Sequence, residues 1–172
     1  MLLDGEEWQR HFREFERTAW RLEVQPTYTM PAETESLARF LRGEPKPSNH
    51  NAPWHVTVRA AVAAGRSFGR VRVIRKPLTN YQRYQLAWGI PGNVAAGEDI
   101  RILDLTDREI DLPNQDFWMF DESTVVHLNY RPDGTQIDRT LIERPDLAMY
   151  RRWQDTALAE AVPFAEWNSA RT

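Results

Sequence analysis

The stretch GRVRVIRKPLTNYQRYQLAWGIPGNVAAGEDIRILDL, residues 69–105, carries the most information about the fold. Gly69–Ile74 alternates strictly, with Val71 and Val73 on one side and Arg70 and Arg72 on the other. Asp99–Leu105 alternates again, with Ile100, Leu103 and Leu105 set among Arg101 and Asp104. Period-two alternation is the signature of a β-strand. Between the two, Thr79 is placed to cap a helix running from Asn80 to about Trp88, which GIPGN (89–93) interrupts. Strand, helix, strand over this length predicts a parallel βαβ unit.

Working outward, Asp116–Asp121 (DFWMFD) and Thr124–Tyr130 (TVVHLNY) read as two further strands. Arg131-Pro132-Asp133-Gly134 reads as a turn with Gly where a positive φ is wanted, and Thr135–Ile142 as the returning arm. Pro145 opens a helix to about Ala161, ended by Pro163. Upstream, Asp4 is placed to cap a helix to about Thr18, with Trp8, Phe12, Phe15 and Ala19 on one stripe. AWRLEV (19–24) reads as a half-buried strand with Arg21 and Glu23 on its polar side. Pro31 opens a short helix to Leu41, and Trp54–Ala64 is read as a helix with Trp54, Val58, Ala61 and Val62 inward. The fold class is therefore α/β (α+β), a mixed sheet with packed helices. At 172 residues the chain is the size of one domain, 1–172. The loop at 43–53, rich in Pro, Asn and Ser, is the one place where a helical N-terminal lobe, 1–45, could be joined on.

Composition excludes several chemistries. With no Cys there is no disulfide scaffold, thiolate catalysis or thiolate metal site. The four His residues show no i, i+3 or i, i+4 pairing, and HExxH is absent, so no metal is expected. Asp104, Asp107, Asp116 and Asp121 have no EF-hand spacing. GxGxxG and GxxxxGK[ST] are absent, as is GxSxG. No cofactor is expected. No apolar run approaches the ~20 residues of a membrane span, and the N-terminus has no apolar signal-peptide core. These features point to a cytoplasmic protein.

The net charge of −3 is unevenly spread. Residues 61–101 carry seven basic and two acidic groups, and residues 102–172 carry seven basic and fourteen acidic. The basic stretch at 66–83 holds Arg66, Arg70, Arg72, Arg75, Lys76 and Arg83 with no acid, and Tyr81 lies within it. Two readings stand. The arginines pair with Glu98, Asp99, Asp104 and Asp116, or they face an anionic ligand or an acidic partner, for which guanidinium forks are suited. Direct nucleic-acid binding ranks behind both, since the chain is acidic and shows no basic recognition helix.

The segments RLE (21–23), Trp54, AAVAAGR (60–66), RVRVIRKPLTNYQR (70–83), NVAAGEDIR (93–101), DFWMFD (116–121) and YRPDG (130–134) together resemble an actinobacterial family of roughly this length, one of the domains of unknown function. The resemblance implies a chain encoded beside a small helix-turn-helix regulator. In the order DIRIL, DFWMFDESTVVHLNY, hairpin and a long helix ending AVPFAEW, the chain is also similar to phospholipase-D-like effector domains. Their HxK signature is not met, because Leu128 and Asn129 follow His127.

The expectation is a non-catalytic accessory or sensor domain working with a helix-turn-helix regulator. It would bind that protein, a small anion, or both, through Arg66, Arg70, Arg72, Arg83, Arg101 and Tyr81, with Asp116 and Asp121 orienting them. The alternative is a phosphoester hydrolase, nuclease or toxin in which His127 converges with arginines and carboxylates.

Overall fold

A computed structural model describes residues 1–171. The elements run α1 (Gly5–Glu14), β1 (Thr18–Glu23), α2 (Thr34–Leu41), α3 (Ala52–Ala63), β2 (Ser67–Ile74), α4 (Asn80–Tyr84), α5 (Ile90–Ala96), β3 (Asp99–Asp104), β4 (Asp116–Phe120), β5 (Thr124–Tyr130), β6 (Gln136–Leu141), α6 (Leu147–Glu160), β7 (Val162–Pro163) and α7 (Phe164–Ser169). A short 3₁₀ turn, Pro31–Glu33, leads into α2.

The fold is mixed α+β, built on one seven-stranded sheet in the order β6-β5-β4-β1-β2-β3-β7. The strands β1, β2 and β3 are parallel, and β4, β5 and β6 form an antiparallel meander. The expected parallel unit over 69–105 and the hairpin closed by Gly134 (φ +86) are both present.

Strand β1 lies between β4 and β2. An N-terminal lobe of 1–45 is therefore not how the chain is laid out, because the sheet is incomplete without residues 18–23. Alternation of apolar and charged residues in AWRLEV suggests one wet face, but both faces of β1 are covered.

The two faces bury different residues. On one, Trp20, Leu22, Val71, Val73, Leu103, Phe117, Met119 and Val125 pack under α6. On the other, Ala19, Phe68, Trp118, Phe120, Val126 and Leu128 pack against Trp8 and Phe12 of α1 and Val58 and Ala61 of α3. Val62, expected inward, is 44% exposed.

Three boundaries differ from the sequence reading for physical reasons. Helix α1 stops at Glu14 rather than near Thr18 because the Asp121 carboxylate takes the backbone N–H groups of Glu16, Arg17 and Thr18. GIPGN does not interrupt the helix after Trp88. A five-residue π-turn, Gln85–Gly89, joins α4 to α5 and absorbs Pro91, which has no N–H to give the ladder. At the C-terminus, Val162 and Pro163 pair with Ile102 and Arg101 as a two-residue edge strand before α7.

Candidate functional site

The parallel register sets Arg21 beside Arg70 and Glu23 beside Arg72, all on the face covered by α1 and α3. Four charged side chains at neighbouring positions in mid-sheet require counter-charges, since an unpaired buried charge costs several kcal/mol. They find them in one another and in two further acids.

Glu23 is the hub. Its Oε2 meets Arg21 Nη1 at 3.1 Å and Arg70 Nη1 at 2.9 Å, and its Oε1 meets Arg72 Nε at 3.3 Å. Gln85, on the π-turn, donates to Glu23 Oε1 at 2.5 Å and accepts from Arg72 Nε at 2.8 Å. Burial works to raise the Glu23 carboxyl, but Arg21, Arg70 and Arg72 outweigh it and pull it down to about 2.

Glu98, just past α5, receives both Nε and Nη2 of Arg70 on one oxygen, at 3.0 and 2.8 Å, and the Trp54 indole N–H on the other at 3.0 Å. Asp116 on β4 accepts from Val24 N at 2.8 Å, Tyr28 Oη at 2.5 Å and Arg21 Nη2 at 3.1 Å. Burial raises the Asp116 carboxyl, against the pull of Arg21. It also drives the Tyr28 phenol well above its ordinary range, with Asp116 adding to the effect. Two buried donors of this network, Arg21 Nε and Arg72 Nη2, find no partner among the described residues.

Above this floor is a cavity of about 600 Å³, within the ~300–1,000 Å³ range of small-molecule sites. It opens between α1, the α2 segment, α3 and the α4–α5 run, with β5 and β6 closing the remaining side. Its walls are aromatic: Trp8, Phe12, Trp54, Tyr81, Tyr84, Trp118 and Tyr130. Its polar groups include Arg21, Glu33, Ser36, His50, Asn51, Arg70, Gln85, Asn93 and Arg139. Asn93 Oδ1 accepts from Asn51 Nδ2 at 2.9 Å and lies 3.0 Å from His55 Nε2. Ser36 Oγ and Tyr84 Oη are 2.7 Å apart.

Glu33 receives the Tyr81 hydroxyl at 2.8 Å and makes no ion pair among the described residues; burial raises its carboxyl. Arg139 lies over the Trp8 ring at 5.2 Å and has no carboxylate within salt-bridge distance among the described residues.

The residues singled out from the sequence fall into two groups. Arg70, Arg72, Asp116 and Tyr81 come together at or beside this cavity. Arg70 and Arg72 do so as interior groups committed to Glu23, Glu98 and Gln85, not as an open cluster.

The other four serve separate local purposes. Arg66 donates to the Arg13 and Phe15 carbonyls and lies over the Phe15 ring. Arg83 is exposed and bonds to Asn80. Arg101 pairs with Asp99. Asp121 holds the α1–β1 connection. The stretch 66–83 is therefore not one continuous basic surface.

Sequence reasoning offered Glu98 as a counter-charge, but missed Glu23 and Gln85 as network members and Glu33 and Arg139 as cavity groups. The one available signal was that RLE and RVR alternate charges in two strands predicted to share a sheet.

His127 is on the opposite face. Its Nε2 lies 2.7 Å from Tyr150 Oη under α6, and burial lowers its pKa. It does not converge with the arginines or with Asp116, whose side chains occupy the other side of the sheet. Among the described residues no group of three or more His, Asp or Glu could hold a metal ion, and no helix is long and apolar enough to cross a membrane.

The family model for a domain of unknown function, DUF6879, matches residues 6–169, which takes in the whole network and every wall of the cavity. The chain belongs to the DUF6879 family. No curated protein matches it. In this DUF6879 chain the family match covers α1 through α7 without a break, so the cavity is assembled from elements that all lie inside the domain.

Proposed function

We propose that the chain is a non-catalytic sensor domain that binds a small ligand in the cavity above the Glu23 network, and that it acts in the cytoplasm as an accessory to a helix-turn-helix transcription regulator. The observation that carries the ligand-binding part is the pairing of an aromatic-walled cavity with a floor whose charges already satisfy one another. Such a floor is pre-organised and holds its shape without ligand. A nucleophile–base–orienter triad finds no support there: the cavity hydroxyl that meets a carboxylate, Tyr81 on Glu33 at 2.8 Å, has no third side chain bonded to that carboxylate among the described residues. The regulatory part rests on the sequence resemblance, which implies a neighbouring helix-turn-helix protein of actinobacterial type. The phospholipase-D-like likeness supports an effector role on the same terms.

An anionic ligand would not be held by Arg70 and Arg72, whose donors are largely taken up by Glu23, Glu98 and Gln85. It would be met by Arg139, which lines the cavity and has no carboxylate within salt-bridge distance among the described residues.

Gly89 supplies the test. It lines the cavity, has an ordinary helical φ of −76°, and a Cβ there would meet only Gln85 Cγ at 3.9 Å. Gly89→Leu therefore fills the cavity without straining the backbone. Trp8, Trp54 and Trp118 line the same space, so tryptophan fluorescence reports occupancy. Titration with a panel of small aromatic compounds is expected to give a saturable change for at least one of them. That change should be lost in Gly89→Leu, and the compound should be recovered unaltered. A panel with no saturable binder, or one whose binding Gly89→Leu leaves intact, overturns the reading.

A further inference from the structure

Resting on the reading that the cavity binds a small ligand, we infer that this ligand is an aromatic zwitterion whose cationic and anionic groups sit at opposite ends of a ring-bearing body. The inference comes from which charges of the cavity remain unspent. Arg21, Arg70 and Arg72 are balanced by Glu23, Glu98 and Asp116 through contacts of 2.8–3.3 Å. That leaves one carboxylate, Glu33, and one guanidinium, Arg139, each lining the cavity and each without an ion-pair partner among the described residues.

The two come from different elements: Glu33 from the turn before α2, where it receives the Tyr81 hydroxyl, and Arg139 from β6, where it lies over Trp8. The ring series Tyr81–Tyr28–Tyr130, with centroids 5.5 and 5.0 Å apart, links the Tyr81 side to β5, the neighbour of β6. A ligand with a single charge would satisfy one end and leave the other partly desolvated beside it. A neutral ligand would cover both charges and pair neither, which is the costly case. An ammonium or amidinium group toward Glu33 and a carboxylate or phosphate toward Arg139 pairs both. Trp8, Phe12, Trp54 and Trp118 offer the ring faces and edges for the body of the molecule.

The test uses the full chain and two zwitterions of different length, 4-(aminomethyl)benzoate and the dipeptide phenylalanyl-phenylalanine. Each is compared with its N-acetyl and carboxamide derivatives, which remove one charge while keeping the rings, and indole serves as the neutral probe. Binding is read by tryptophan fluorescence for the dipeptide set and by calorimetry for all. At least one zwitterion is expected to bind about tenfold or more tightly than both of its singly charged derivatives. Glu33→Gln, which retains an acceptor for Tyr81, should remove the advantage conferred by the amine. Arg139→Gln should remove that conferred by the carboxylate. Both variants should melt with the parent.

Equal affinity for zwitterion and derivatives, or zwitterion binding unchanged in both variants, overturns the inference while leaving the cavity reading intact. Absence of binding by every probe, indole included, overturns both.

Discussion

Arg70 and Glu98 form a fork on a single oxygen in the protein interior: Nε and Nη2 of the guanidinium both reach Glu98 Oε1, at 3.0 and 2.8 Å, while the other Glu98 oxygen takes the Trp54 indole N–H. The contact ties the floor of the cavity to its α3 wall, since Trp54 lines the cavity and Arg70 lies on β2. Removing Arg70 leaves the buried Glu98 with only the Trp54 N–H, and removing Glu98 leaves Arg70 with Glu23 alone; breaking a buried pair in this way costs ~3–5 kcal/mol. Arg70→Met and Glu98→Gln are each expected to lose about 3 kcal/mol in urea denaturation at neutral pH. The double variant should lose clearly less than the sum of the two. Additive losses would show that the pair is not coupled.

Glu23 gives the acid limb of stability a specific origin. Its carboxyl is held at about 2 against an ordinary value of 4.5. The folded chain thus keeps it ionised where the unfolded chain protonates it. A depressed acid contributes stability that is present above pH 4.5 and lost as the pH falls from there through 2. Glu23→Gln, whatever it costs at neutral pH, should flatten the dependence of unfolding free energy on pH between about 4.5 and 2. A slope unchanged from the parent in that window would assign the acid sensitivity to other groups.

Gly134 joins the meander to the segment after β1. Its φ is +86°, and a Cβ there would meet the Thr27 carbonyl oxygen at 2.4 Å, a backbone atom that cannot swing aside. The Gly134 carbonyl also accepts the Thr29 N–H at 2.9 Å. Gly134→Ala combines backbone strain with a clash and should cost ~2 kcal/mol or more, a drop in Tm of ~4–8 °C. At Gly92 the obstacle is the His55 ring, a side chain that can rotate, so Gly92→Ala should cost less than Gly134→Ala.

These elements differ in how much of them the sequence displays. RVRVI and DIRIL announce the parallel strands because apolar positions recur every second residue. The candidate partners of the basic stretch were legible in part: Glu98 meets Arg70 and Asp104 meets Lys76, whereas Asp99 meets Arg101 and Asp116 meets Arg21, both outside the stretch.

What alternation does not reveal is where a polar face points. Arg21 and Glu23 would alternate identically whether they met water or Arg70, Arg72 and Asp116, and only the strand order β4-β1-β2 decides between them. Gly89 and Pro91 read as a helix break because a π-turn has no composition of its own. Glu33 and Arg139, over a hundred positions apart, meet one cavity only through the tertiary fold.

His127 separates a structural histidine from a catalytic one. Burial lowers its pKa from 6.5, and its contact is Tyr150 beneath α6. A histidine with a lowered folded pKa binds fewer protons when folded, so its contribution is present above pH 6.5 and lost as the pH falls through the folded value. His127→Gln should reduce the fall in Tm between pH 7.5 and 5.5 and leave ligand affinity in the cavity unchanged, because the sheet separates the two. A loss of binding in His127→Gln would place it back among the functional residues.

Asp121, expected to orient the binding arginines, instead clamps backbone with its carboxylate. Oδ1 accepts from Arg17 N at 2.7 Å and Thr18 N at 3.0 Å, and Oδ2 from Glu16 N at 2.8 Å. Its own N–H returns to the Thr18 carbonyl at 2.7 Å, and its φ of +51° is one that Asp and Asn tolerate better than most residues. Burial opposes ionisation here, but the three donated N–H bonds hold the carboxyl below its ordinary value. Asp121→Ala loses all three acceptor contacts and keeps the backbone strain, so it should cost ~2–3 kcal/mol. Asp121→Asn retains one acceptor oxygen and the backbone tolerance, and should cost less. Asp121→Gly relieves φ but not the lost acceptors, and should fall between Asn and Ala. Stability in the order Asp, Asn, Gly, Ala, measured by denaturant titration, with affinity for a cavity ligand equal in all four, is the outcome expected of a clamp. Affinity that tracks the charge at position 121 instead would return it to the binding site.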